Sequence, residues 1–83
     1  MNCKIVSPKK TLFSGPVESI TLPSQNGEVQ ILPGHAESFF LLRKGEIVLK
    51  TKERKKTISV SEGIFYVASN EAVSIVLNEE AKI

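Results

Sequence analysis

Aspartate and tryptophan are absent from this chain, and cysteine, histidine, tyrosine and methionine occur once each. The nine acidic residues are therefore all glutamates. A Ser-His-Asp constellation cannot be written without aspartate, and a glutamate variant needs His35 beside a serine in an elbow context that is missing. One histidine and one cysteine cannot supply a metal site built from several His or Cys ligands. Glutamate pairs able to flank a glycosidic bond arise by chance in any small domain with nine of them. Cys3 has no partner for an internal disulfide; it fits a reducing compartment and reads as a small buried hydrophobe of a first strand. The glycines at 15, 27, 34, 45 and 63 are scattered singly between apolar runs, so they form no phosphate-cradling loop. No run approaches the roughly 18 apolar residues of a membrane-spanning helix, and residues 1–8 lack the apolar stretch of a secretory signal. The expectation is a chain with no catalytic residues, no metal, no cofactor and no membrane contact of its own.

What is present is a succession of strand signals. A length of 83 residues suits a single domain, residues 1–83, with one modest core. Cys3-Lys4-Ile5-Val6 opens and stops at Ser7-Pro8. Residues 11–14 follow, with Gly15-Pro16 as a bend. Residues 17–22 place Ile20 and Leu22 on one face and Ser19 and Thr21 on the other, and Pro23 closes them. Gln25-Asn26-Gly27 supplies tight-turn chemistry with positive φ. Residues 28–32 alternate again, Val29 and Ile31 against Glu28 and Gln30, until Pro33-Gly34. Residues 39–42 are a continuous apolar run, expected to be buried on both faces. Lys44-Gly45 turns into residues 47–50, residues 57–61 keep a clean period of two, and Glu62-Gly63 turns into residues 64–68. Ser69-Asn70-Glu71 leads to residues 73–77, with Val73, Ile75 and Leu77 on one face. Eight or nine short strands at intervals of about 8–12 residues point to an all-β sandwich or barrel. The stretch 79–83 is too short to sustain a helix.

A net charge of +2 does not argue for nucleic acid. The distribution is less even, because Lys50, Lys52, Arg54, Lys55 and Lys56 fall within seven positions. Such a run can touch phosphates or acidic lipid headgroups. With no aromatic inside it to stack on bases, it reads instead as a solvated hairpin tip that guards sheet edges.

The stretch Gly27-Glu28-Val29-Gln30-Ile31-Leu32-Pro33-Gly34-His35-Ala36 resembles the signature of F-type ATP synthase epsilon subunits. There a Gly-Glu pair leads through a strand to Pro-Gly-His-Ala. Phe13-Ser14-Gly15 with Val17-Glu18-Ser19-Ile20, Lys44-Gly45-Glu46-Ile47, and residues 58–64 followed by 73–77 agree in order and spacing. The resemblance covers nearly the whole chain. It implies a sandwich of about ten short strands in two five-stranded sheets, the N-terminal domain of a non-catalytic rotor subunit at the foot of the central stalk. The implied partners are the gamma subunit, the polar loops of the c-ring and, through gamma, the catalytic head. The implied location is peripheral, on the cytoplasmic face of a bacterial inner membrane or the stromal face of the thylakoid. Carried over by position, Asn26, Gly27 and Glu28 face the c-ring, and His35, Ser38 and Phe40 face gamma.

Several positions depart from the family pattern. Gln30 stands where glycine is usual, Glu37 where proline is usual, Glu62 in place of one of two glycines, and Asn78 where aspartate is common. The family's two C-terminal helices have no counterpart after Ile83, so neither nucleotide binding nor helix-mediated inhibition is expected. An unrelated β-sandwich adaptor or ligand-binding module is the alternative. An enzyme using His35 as a base and a nucleic-acid binder using residues 50–56 stand behind it.

Overall fold

Alternating apolar and polar residues fold here into nine strands in the computed structural model, which describes residues 1–77. They are β1 (Asn2–Val6), β2 (Thr11–Pro16), β3 (Ser19–Ser24), β4 (Gly27–Ile31), β5 (Ser38–Leu42), β6 (Gly45–Lys50), β7 (Lys55–Val60), β8 (Gly63–Ala68) and β9 (Glu71–Val76). The all-β expectation holds: no helix occurs among the described residues. Asn78 and the stretch 79–83 lie outside those residues. Strands β2-β1-β9-β8-β5 form one layer and β4-β3-β6-β7 the other, five and four strands against the five and five that the resemblance implied. All pairings are antiparallel except β1 with β9, whose chains run the same way. The layers are one curled sheet, joined where Ser24 of β3 pairs with Leu42 of β5. Between them lie Ile5, Ile20, Leu22, Ile31, Leu42, Ile47, Leu49, Ile58, Phe65, Val67 and Val76, almost wholly removed from water. Burial of such side chains contributes about 1.5–3 kcal/mol each before the cost of ordering the chain.

β3 changes partner along its length, and this explains why Pro23 does not end it. Residues Ser19 to Thr21 pair with β6, Ser24 pairs with β5, and β4 lies along the other edge from Ile20 to Ser24. The Pro23 carbonyl accepts the Arg43 N–H at 2.9 Å, on the side away from β4. The missing Pro23 N–H falls on that same side, in the gap between two partners, where no ladder bond is required. The ring also fixes its neighbour: a Cβ on Gly45 would stand 2.9 Å from the Pro23 Cβ. In the same way Gly15-Pro16 does not end the second strand, for both residues lie inside β2, paired with Cys3 and Asn2.

The expectation of burial on both faces fails at residues 39–42. Phe39 is 72% and Leu41 58% exposed, whereas Leu42 is buried and Phe40 half-buried against the core. One layer covers only one face of β5, so an unbroken apolar run alternates inside and outside like any other strand. β9 behaves alike. Its inward residues are Ala72, Ser74 and Val76, and the larger Val73 and Ile75 point to solvent. Buried Ser74 is satisfied by donating to the Ile64 carbonyl at 3.0 Å.

Gly63 sits at a close backbone approach, where β8 meets β9. A Cβ there would collide with the Ile75 carbonyl oxygen and stand 3.0 Å from the Val76 Cα. Its neighbour Glu62 is exposed and meets no such limit. Gly63→Ala is expected to lower stability by about 1–3 kcal/mol, the usual cost of overpacking. Urea unfolding checks this; a loss below about 0.5 kcal/mol would mean that β9 moves away at no cost.

Candidate partner-binding surface

The β3–β4 turn presents the first group of expected contact residues. Ser24 and Gly27 close a two-residue loop, Gln25-Asn26. The Ser24 hydroxyl accepts the Asn26 N–H at 3.2 Å and donates to the Gly27 carbonyl at 2.6 Å. Gly27 has φ of 120°, which a side chain at this position would oppose. Asn26 and Glu28 are exposed. A rigid turn thus holds a carboxylate and an amide out into solvent.

The second group lies at the other end of β4, roughly 13 Å away for a five-residue strand. Leu32-Pro33-Gly34-His35 is a turn with proline second, glycine third at φ 85°, and the His35 N–H donating to the Leu32 carbonyl at 3.2 Å. The His35 ring faces Phe40 edge-on at 6.3 Å between centroids, and Nδ1–H donates to the Ala36 carbonyl at 2.7 Å. Ser38 Oγ donates to the same carbonyl at 3.0 Å. His35, Ser38 and Phe40 are therefore brought together, while Asn26, Gly27 and Glu28 form a separate site. β5 connects the two, because it begins beside His35 and the Leu41 carbonyl accepts the Gln25 N–H at 2.9 Å.

Sequence reasoning missed an exposed apolar face. On the outer face of the first layer Phe39 pairs with Tyr66 and Tyr66 with Val73; one step along, Leu41 pairs with Ile64 and Ile64 with Ile75. These side chains make two adjacent rows of apolar surface across β5, β8 and β9, with the Phe39 and Tyr66 rings 4.7 Å apart. A contiguous exposed apolar face marks a surface that meets another molecule. Its signal in the sequence was the presence of large apolar residues at both parities of residues 39–42, 64–67 and 73–76. Glu37 anchors the rim: its carboxylate accepts the Tyr66 hydroxyl, which ties the segment after His35 to β8.

Among the described residues no group of three or more His, Cys, Asp or Glu side chains is placed to hold a metal. Cys3 is buried, and desolvation pushes its thiol up to about 12, so it is not a nucleophile near neutral pH.

The fold is that of a small β-sandwich domain. The chain belongs to the family described as ATP synthase, Delta/Epsilon chain, beta-sandwich domain, whose model matches residues 1–82. Among its relatives is the ATP synthase epsilon chain of Chlorobaculum tepidum, 39% identical over 92% of this chain and 85% of that protein. The epsilon chain of a Nitratiruptor strain is 35% identical over 92% of this chain and 60% of its own length. A cryo-EM structure of the central stalk and c-ring of the Tetrahymena thermophila mitochondrial ATP synthase contains a chain of the same fold, with TM-score 0.79 and 16% identity over 94% of this chain and 63% of that one.

Tyr66 is the sole tyrosine, so its titration can be followed alone by the ultraviolet absorbance of the phenolate. Its hydrogen bond to Glu37 comes first, then desolvation, then the Glu37 charge, and all three hold the phenol above its ordinary value. A raised folded value means the contact supports the fold fully below about pH 10 and is lost as pH climbs through the raised value. Glu37→Gln is expected to move the titration downward; an unchanged curve would remove the contact in solution.

Proposed function

We propose that this chain is a non-catalytic central-stalk subunit of a proton- or sodium-translocating F-type ATP synthase, coupling the c-ring to the gamma subunit. The observation that carries this is the exposed apolar face of β5, β8 and β9, which reaches the Asn26 turn through β5. The family match and the epsilon-chain names of the relatives support it. In this reading gamma covers the Phe39–Leu41 face, with Ser38 and His35 at its edge. Phe40, half-buried, props the His35 ring from below. The Asn26-Gly27-Glu28 turn meets the polar loops of the ring, and the catalytic head is reached through gamma.

Glu28 supplies a solvated carboxylate, and an exposed ion pair is worth at most about 1 kcal/mol. It therefore sets the register of the turn on the ring more than the strength of the contact. Association with the membrane is peripheral and passes through the complex, on the bacterial cytoplasmic or thylakoid stromal side. No helix among the described residues is long and apolar enough to cross a bilayer.

Affinity purification of the tagged chain from gently solubilised membranes is the direct test. Recovery of gamma with the ring and the catalytic head is expected, and a folded chain that returns alone would end the stalk reading. Phe39→Ala and Leu41→Ala should each weaken gamma binding tenfold or more, about 1.4 kcal/mol, with little change in melting temperature. Phe40→Ala should instead cost about 2–4 kcal/mol of stability, since a half-buried ring loses core contact. Glu28→Lys should lower coupling in reconstituted membranes with the fold intact. Equal coupling would withdraw the ring contact.

A further inference from the structure

The curled sheet is closed on one side by the β3–β5 junction and open on the other. Among the described residues β2 pairs only with β1, and β7 only with β6, so these two strands are edges of the described sheet. They face each other across a groove of about 540 Å³ lined by Phe13, Pro16, Thr51, Arg54, Lys55 and Lys56 among others. Phe13 is half-buried and packs on the core, and its ring lies 5.7 Å below the Lys56 Nζ. Lys56 shares its inward parity with Ile58 and Val60. A lysine stem over an aromatic ring therefore closes the seam where a large hydrophobe would otherwise be needed.

The backbone of β7 presents usable groups to this seam. At the hairpin tip the Thr51 N–H donates to the Arg54 carbonyl at 2.8 Å, which makes Thr51 and Arg54 a hydrogen-bonded pair. Alternation along the ladder then makes Lys50–Lys55, Val48–Thr57 and Glu46–Ser59 pairs whose N–H and C=O groups point away from each other. The Lys50 carbonyl confirms the phase by accepting the Glu18 N–H at 2.7 Å, from the opposite side of β6. Lys55, Thr57 and Ser59 consequently turn their main-chain groups outward along the free edge. Around them Lys50, Lys52, Arg54, Lys55 and Lys56 outnumber Glu53 at the tip and Glu46 opposite Ser59.

We propose that the β2–β7 seam is a docking site for an extended acidic peptide segment of a partner protein, added as a strand to the edge of β7. The edge supplies main-chain pairing, and the basic side chains select carboxylates at alternate positions of the incoming strand. The place is distinct from both contacts of the stalk reading. Antiparallel β3 and β6 put the 50–55 tip beside Ser19, at the end of β3 opposite the Asn26 turn. A membrane surface is the weaker fit because a lipid headgroup uses the charges but not the ladder groups.

The test uses the whole chain and a capped decapeptide alternating glutamate with valine, with a lysine–valine peptide as control. Binding is read by fluorescence anisotropy and mapped by amide hydrogen exchange. The glutamate peptide should bind, protect the amides of Lys55, Thr57 and Ser59, and weaken as salt screens the charges. Lys55→Glu should reduce affinity about fivefold or more, the upper range for an exposed charge pair. Thr57→Pro removes one outward N–H at an edge position that tolerates proline, and should reduce binding with the fold retained by circular dichroism. Absence of binding, protection confined to the β5-β8-β9 face, or equal binding of the lysine peptide would each overturn the proposal. So would phosphatidylglycerol vesicles that bind through the same lysines while the peptide protects no β7 amide.

Discussion

Everything in this fold turns on the way β3 divides one edge between two partners. β6 takes its first half and β5 takes only its last residue, through the Ser24–Leu42 pair. That division forces the sheet to fold over and creates the space into which Leu22, Ile20, Ile47 and Leu49 are buried. It needs a residue between the partners that asks for no ladder bond, and Pro23 is that residue. It also needs room for the proline ring, which Gly45 leaves. A proline that looks like a stop signal is thus what allows the strand to continue across the fold.

The sequence was legible wherever one face of a strand is polar. β3, β4 and β7 put Ile20, Leu22, Ile31, Ile58 and Val60 inside as their alternation demanded. The turns were legible as well, because Asn26-Gly27 and Pro33-Gly34 have few conformations open to them. Legibility failed where both faces are apolar. In residues 39–42 and 73–76 periodicity cannot tell inside from outside, and size misleads, since small Ala72 and Ser74 are buried while Val73 and Ile75 are not. Parity in such strands is decided by register with neighbours. Phe65 opposite Phe40 leaves Phe39 no choice but solvent.

The expected contact residues show the same division. Asn26, Gly27 and Glu28 sit on a turn whose geometry is local, and they project as that turn requires. His35 and Ser38 converge on one carbonyl, again through local hydrogen bonds. Phe40 depends on strand parity, and its ring is half-buried against the core while Phe39 is exposed. Glu37, read only as a departure from a usual proline, acquires a partner in Tyr66 that lies far away in sequence. No spacing rule connects those two positions.

The two surfaces proposed to meet gamma and the ring would serve a rotor only if load on one were felt at the other. β5 meets that requirement without any hinge. It is paired with β8 at every residue from Ser38 to Leu42, and its far end is fixed to β3 by Ser24 and by the Gln25 N–H on the Leu41 carbonyl. A force on the Asn26 turn therefore pulls on the main chain of Leu41, whose side chain belongs to the apolar face. At the near end the Ala36 carbonyl ties the His35 segment to Ser38 of the same strand, and Glu37 ties it to Tyr66 of the neighbouring β8. A strand held by hydrogen bonds along its length transmits displacement with little loss, because a packed, paired element yields by breaking several contacts together rather than by bending. In the proposed reading, exposure of Phe39 and Leu41 is then the counterpart of stiffness: the exposed apolar residues stand on the strand that connects the two ends of the domain.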